Sequence, residues 1–586
     1  MSRTTKGPEA GATPFAEAHA RLSAKMLSEL LHEELLSPEA LADGAYRLAT
    51  ERADYRFRAR RTALDHWDVA IGSVTTGHGD PTHAVEMFLD LAPGLGIGAD
   101  MLPLYTEELL GTLYALAHHA ETKRKRPAAG TLATADFQEV ESTMRDGHPC
   151  FIANAGRIGF SREDHARYAP ESRATLHVGW LAARRAHLTT RCVAGLDYAS
   201  HLEAEIGTQG RARADAILTE RGHDPAAYEL LPVHPWQWQR VLQVHYAEEL
   251  AAGRLVWLFE GEDRYQPQQS IRTLFNRSRP ERPYVKLALS IRNMGFVRGL
   301  SPGYMAVTPA INDWVGGLVR GDADLREMGF DILQETVTVG YRHPLFDDRT
   351  ENCPERKMLS ALWRESPETR LHPGERVMTM AALLHRDAEG QSVVGALIRE
   401  SGHAAGAWLR RYLEAYLTPL LHCFYAHELA FMPHGENVLV VLRDHVPARV
   451  LVKDIGEETL VFGQTDRLPE PARRLYLECS DAVRLLHLTA DVFDSFFRHL
   501  GALLEADGII TTGGFWGLVG DTIRRYQSQH PELSARFARF DLFRPKWQRL
   551  CLNRLQLKNA RQMLELSAPV ASFQYGTDLD NPLHSP

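Results

Sequence analysis

His434-Gly435-Glu436-Asn437 is separated from Lys453-Asp454 by an apolar run over 438–442, a polar stretch over 443–448 and a second run over 449–452. This pattern reads as a β-hairpin with polar side chains at its open ends. A hairpin brings its two ends together, so Glu436, Asn437 and Asp454 are expected to converge. Two carboxylates and an amide make a hard, oxygen-only site of the kind Mg2+ takes, usually with phosphates attached. Kinase-like sites place an Asn and an Asp similarly around a magnesium-bound triphosphate. The chemistry indicated is the handling of ATP.

A second group is cationic. Ser270 and Arg272 share one side of an expected extended strand, because alternate side chains share a face. Lys286 falls on the next strand and Arg298 just beyond it. Arginine grips phosphate or carboxylate oxygens at two points and lysine acts as a point charge. These residues suit a triphosphate or an adenylate; a solvated strand face with surface ion pairs accounts for them equally well. The glycine-punctuated stretch 147–160 could let backbone amides approach a nucleotide, but no Gly-Lys-Ser/Thr follows, so it is not a P-loop. His234-Pro235-Trp236-Gln237-Trp238 reads as an aromatic cluster at a junction, with a rigid pocket wall as the alternative. His165 and His187 lack ligand spacing and read as structural. No Gly-x-Ser-x-Gly or cysteine-nucleophile pattern occurs.

The elements that must position these groups follow from periodicity. Apolar residues recur at helical spacing over 17–36, and Pro38 ends that run. Alternation over 55–60 and 67–71 predicts half-buried strands, and helical spacing returns over 83–91 and 106–119. Residues 255–259 and 284–289 are the clearest strands of the middle. The last third reads as helices over 408–429, 482–504 and 514–526, interrupted by the hairpin.

With 586 residues, 44% hydrophobic and 24% charged, the composition is globular and the length calls for two to four subdomains. A net charge of -9 argues against a nucleic-acid partner. Lys123-Arg124-Lys125-Arg126 reads as a solvated loop. The six cysteines form no Cys-x-x-Cys pair, so free thiols in a reducing cytoplasm are expected. Residues 1–16 lack an apolar core and read as a disordered tail, not a signal peptide. No apolar run is long enough to cross a bilayer.

Gly147-His148-Pro149, Leu231-Pro232-Val233-His234-Pro235-Trp236-Gln237-Trp238, Ser270-Ile271-Arg272-Thr273, Lys286, Arg298, His434-Gly435-Glu436-Asn437 and Lys453-Asp454 occur in this order. Together they resemble the NRPS-independent siderophore (NIS) synthetases, the aerobactin synthetase family, from about residue 17 to 583. The likeness is strongest to the desferrioxamine branch, through Thr143 to Phe151, Asn293-Met294-Gly295-Phe296, Thr308-Pro309-Ala310-Ile311-Asn312-Asp313-Trp314 and Cys551 to Leu557. Many aerobactin-type relatives carry a second His-Pro and a lysine after Gly-His-Pro. Phe151-Ile152 and Ala155 stand there in this chain, which weakens a citrate-activating reading.

The resemblance implies an α+β fold like a cupped hand: thumb 17–145, fingers 146–395, and a helical palm 396–586 carrying the hairpin. It implies ATP and Mg2+, an acyl-adenylate, release of AMP and pyrophosphate, and amide formation with an amine. The implied substrate is N-hydroxy-N-succinylcadaverine, with a putrescine analogue or a citrate-derived acid as alternatives, and the implied assembly is a cytoplasmic homodimer. By the match, Ser270, Arg272 and Lys286 hold phosphates, and Arg298 sits between the α-phosphate and the carboxylate. His434 meets the reacting group, and Lys286, Arg298 and His434 form the catalytic set. Glu436, Asn437 and Asp454 hold Mg2+, and His148, Asn154 and Arg157 line the nucleotide side. The hairpin alone leaves an ATP-dependent phosphotransferase open, and a non-catalytic iron-siderophore binder is the other rival.

Overall fold

The computed structural model describes residues 13–122, 126–346, 353–463, 468–563 and 569–584. The first helix, Pro14–His32, starts earlier than the tail expected over 1–16 allows. Thr13 caps it by accepting the Ala16 N–H, and Pro14 fits the first turn because its missing N–H would be unpaired there. Residues 1–12 lie outside the described residues, as do Lys123, Arg124 and Lys125 of the basic run. Arg126, expected in a solvated loop, instead donates to the Ser142, Thr143 and Glu171 carbonyls.

The N-terminal helix packs on helix Leu102–Thr122 and on a five-stranded antiparallel sheet. In strand Asp54–Thr62, Tyr55 and Phe57 are buried while Arg56 and Arg58 are exposed, the alternation of a sheet with one wet face. A second core lies between a three-stranded sheet (Tyr228–Val233, Gly179–Arg184, Leu255–Glu260) and a six-stranded antiparallel sheet. The six strands run in the order Tyr265–Pro267, Thr273–Asn276, Tyr284–Leu287, Ser360–Arg364, Glu335–Tyr341, Leu188–Cys192. The tryptophan segment belongs to this core: Trp238 stacks on Trp257, and Gln237 donates to the Ser290 hydroxyl and the Met358 carbonyl.

The third core is the largest. It gathers helix Ala405–His427, helix Thr512–Gln529 and the hairpin, and draws in segments between 129 and 144 and between 311 and 332. The hairpin pairs Val438–Arg443 with Val446–Val452. Its turn is only Asp444-His445, both with positive φ, the two-residue turn whose twist suits a hairpin. Pro447 is tolerated within the second strand because the register slips beside it, between Val441 and Leu442. The helix expected over 482–504 is broken into Asp481–Leu488, a π-helical stretch Thr489–Phe497 and Arg498–Ala506.

Candidate active site

The six-stranded sheet and the open end of the hairpin face each other across a cavity of about 740 Å³. Ser270, Arg272, Lys286, Arg298, His148, Asn154, Arg157, His434, Glu436, Asn437 and Asp454 all line it.

On the sheet side, the expected extended strand through Ser270 and Arg272 is not formed. The strand starts at Thr273, and residues before it fold into a tight turn. Ile271 has φ +70, and the Arg272 N–H donates to the Ser270 carbonyl at 2.8 Å. A β-branched residue in the left-handed region is a strained one. This turn still leaves both flanking side chains on the cavity. The Ser270 hydroxyl is buried with no partner among the described residues, an orphaned group of the kind a phosphate oxygen would satisfy. Arg272 donates to the Gly299 carbonyl and lies 3.6 Å from Glu457.

Lys286 and Arg364 come from neighbouring strands, with Tyr284 opposite Arg364 in register. Tyr284 and Lys286 share a face, so the diagonal pair Lys286–Arg364 points the same way. Both reach Asp454: Lys286 Nζ lies 2.6 Å from Oδ1 and Arg364 Nη1 lies 2.8 Å from Oδ2. Lys286 also contacts Glu457 at 2.9 Å. Burial alone would lower the Lys286 pKa, but Asp454 and Glu457 outweigh it and hold the ammonium above its ordinary value. Burial would raise Asp454, and Lys286, Arg364 and Lys453 together hold it well below the carboxylate range. The same balance brings Glu457 to about 2. Lys286 therefore belongs to the carboxylate wall as much as to the sheet that carries it.

Arg298 is different. Among the described residues its side chain has one direct bond, to the Asn293 carbonyl at 2.9 Å, and its Nε has no partner. Burial and then the Arg272 charge lower it to about 10, so it stays cationic at neutral pH, with no counter-ion in contact among the described residues. Across from it, Glu436 makes no direct hydrogen bond or ion pair among the described residues. Asn437 donates to Glu458 and to the Met432 carbonyl, leaving its amide oxygen for a cation. His434 Nε2 lies 3.5 Å from Glu458. Burial would lower His434, but the Glu458 contact raises it above its ordinary value. His148, 5.5 Å away between ring centroids, is pushed well below its ordinary value, first by burial and then by His434. Arg157 lines the cavity but is held by buried Glu171.

The oxygen donors Glu436, Asn437, Asp454, Glu457 and Glu458 suit a hard divalent cation. Asp454 already serves two cations, so a metal there must share or displace its contact with Lys286. Glu457, Glu458 and Arg364 were not among the residues singled out in the sequence. The acidic pair Glu457-Glu458, three residues after Asp454, is a signal for the first two; nothing in the spacing marks Arg364. A second cavity of about 310 Å³ adjoins the first through Gly147, His148, Asn154, Gln269 and Glu436, and is walled by apolar groups such as Leu116, Met144, Leu384 and Phe496.

The architecture is that of solved siderophore synthetases. Aerobactin synthetase IucC from a hypervirulent pathotype of Klebsiella pneumoniae matches with a TM-score of 0.86 and 30% identity, over 97% of this chain and 98% of that one. ATP-bound aerobactin synthetase IucA from the same pathotype matches with a TM-score of 0.75 over 98% of this chain and 100% of its own, at 17% identity, a likeness of fold. Residues 136–385 match the IucA / IucC family, and residues 406–565 match a family described as ferric iron reductase FhuF-like transporter. A putrebactin synthase from Shewanella sp. (strain MR-4) is 42% identical, over 98% of this chain and 94% of that protein. The chain belongs to the IucA/IucC family of NRPS-independent siderophore synthetases. Among the described residues, no helix is long and apolar enough to cross a membrane.

Proposed function

We propose that this chain is an ATP- and Mg2+-dependent synthetase that adenylates the succinyl carboxylate of an N-hydroxy-N-succinylcadaverine-like hydroxamate-diamine. It then joins that acyl group to an amine, and repetition followed by ring closure gives a desferrioxamine-type trihydroxamate. The observation that carries the reading is one cavity in which Ser270, Arg272 and Arg298 face Glu436, Asn437 and Asp454. The likeness to a putrebactin synthase supports a siderophore product, and the desferrioxamine-like motifs point to the hydroxamate-diamine. Thumb, fingers and palm divide the chain near 145 and 395 in this reading.

A carboxylate that attacks ATP must overcome repulsion between anions, and fixed cations in a closed site relieve it. Arg298, free of a contacting counter-ion, receives the substrate carboxylate beside the α-phosphate. Arg272 and the Ser270 hydroxyl hold phosphate oxygens. Glu436, Asn437 and Asp454 would hold Mg2+, which would supply neutralising charge to the triphosphate. A carboxylate oxygen bonds to the α-phosphorus as the α–β bridging bond breaks. The amine nitrogen then bonds to the acyl carbon and AMP leaves, with one proton lost from the amine. His434, whose pKa Glu458 raises above its ordinary value, donates a hydrogen bond to the acyl-adenylate. The adjoining cavity, whose walls carry Leu116, Met144, Leu384 and Phe496 beside charged groups such as Lys25 and Asp146, accommodates the aliphatic chain and the amine.

The test is mass spectrometry of the products formed from N-hydroxy-N-succinylcadaverine, its putrescine analogue and citrate, each with ATP and Mg2+. Amide-linked oligohydroxamates from the cadaverine substrate are expected. Turnover of citrate alone would overturn the substrate assignment.

A further inference from the structure

Away from the residues lining the nucleotide cavity, the end of helix Thr308–Gly321 meets the end of helix Ala405–His427. Asp322 sits where the first helix stops and caps the short helix Ala323–Glu327. Its two oxygens have separate tasks. Oδ1 accepts the Leu325 N–H at 2.9 Å, a helix cap. Oδ2 faces two imidazoles, His422 Nε2 at 3.3 Å and His427 Nε2 at 2.8 Å. Asp324 Oδ2 lies 3.8 Å from the same His422 nitrogen, and His530 offers a further nitrogen within 4.8 Å of the His422 and Asp324 donor atoms. His422 is buried, and its other nitrogen, Nδ1, is engaged by the Tyr526 hydroxyl at 3.1 Å.

We propose that Asp322, His422 and His427 form a binding site for a divalent transition metal of the zinc class, completed by Asp324 or His530. Two imidazoles and a carboxylate are the donor set that zinc takes, at bonds of about 2.0–2.1 Å. Tetrahedral bonds of that length put neighbouring donors about 3.3 Å apart. The Asp322–His422 separation already has this value, and the Asp322–His427 pair must open slightly. The Tyr526 hydroxyl fixes the His422 ring through its second nitrogen, the outer support that metal-bound histidines generally have.

The metal's role would be structural. It would pin the end of helix Ala405–His427, from which the chain turns at Glu428 (φ +52) into strand Leu429–Phe431 and on to His434. The site shares no residue with the nucleotide cavity, so it stands or falls apart from the proposed synthetase reaction.

The test uses the tag-free full chain after chelator treatment, with excess Mg2+ to occupy hard oxygen sites. Co2+ is titrated and followed by its visible d–d absorption, and Zn2+ is then added as competitor. The expected result is one Co2+ per chain in a tetrahedral spectrum, displaced by Zn2+. His427→Ala should abolish the spectrum, and Asp322→Asn, which keeps the helix cap, should weaken binding at least tenfold. Zn2+ should raise the thermal midpoint of the parent protein but not of His427→Ala. Absence of saturable Co2+ binding, or a spectrum unchanged in both variants, would overturn the proposal and leave a hydrogen-bonded network.

Discussion

Replacing Asp454 by Asn separates the structural and chemical tasks of the carboxylate wall. Asp454 is the shared partner of Lys286 at 2.6 Å and Arg364 at 2.8 Å. Lys286 keeps Glu457 at 2.9 Å after the change. Arg364, whose side chain is 1% exposed, keeps the face of Tyr284 at 5.0 Å and the charge of Glu335 among the described residues, with no direct ion pair there. Removing one member of a buried pair costs about 3–5 kcal/mol. The Asn oxygen retains one hydrogen bond to a cation, about 1.5–3 kcal/mol. The difference, about 2 kcal/mol, is the expected loss of stability. Asp454 has φ +62, a conformation Asn tolerates, so the backbone adds nothing. The same substitution removes a negative oxygen from the metal-holding group, and the magnesium needed for half-maximal pyrophosphate release should rise at least tenfold. Urea unfolding followed by tryptophan fluorescence reads the first effect, and a magnesium titration of pyrophosphate release reads the second. An unchanged urea midpoint would refute the buried-pair reasoning. An unchanged magnesium dependence would remove Asp454 from the metal site.

Arg298→Ala should lower pyrophosphate release by about 10²–10³, the usual cost of losing one preorganised charge donor. It should leave the urea midpoint nearly unmoved, because Arg298 is repelled by Arg272 and has one backbone contact; a rate near that of the parent protein would contradict its assignment. Glu458→Gln should move the His434 titration, followed by NMR, to lower pH, since burial then acts without its main opponent. The folded His434 pKa is raised, so its stabilisation is complete below about 6.5 and lost as pH rises through the folded value. In the variant that pH-dependent loss should shrink, and an unmoved titration would show that Glu458 does not control His434.

The hairpin was legible because two apolar runs flank polar ends. Its turn is narrower than the polar stretch over 443–448, because Arg443, Asp444, His445 and Pro447 all resemble loop residues while only Asp444 and His445 lie between the paired strands. Only the observed backbone shows that Asp444-His445 makes the turn without a glycine, and that a register slip admits Pro447 to the strand. Ser270 and Arg272 were located by type, but the expected strand would have placed them by alternation. A strained turn at Ile271 sets them instead, and no sequence period encodes it. Arg364 was invisible for another reason: its role depends on cross-strand register with Tyr284 and on a contact 90 residues away in the chain. The segments that form each core also interleave along the sequence, as when residues between 311 and 332 join the hairpin's core. Local pattern reports an element but not the layer it joins.

The most direct test of the central claim is the identity of the phosphorus products when the protein turns over N-hydroxy-N-succinylcadaverine with ATP and Mg2+, read by ³¹P NMR. Attack at the α-phosphorus predicts AMP and pyrophosphate in equal amounts, formed only when the carboxylate substrate is present. ADP as the nucleotide product would contradict the account and restore the phosphotransferase reading of the hairpin.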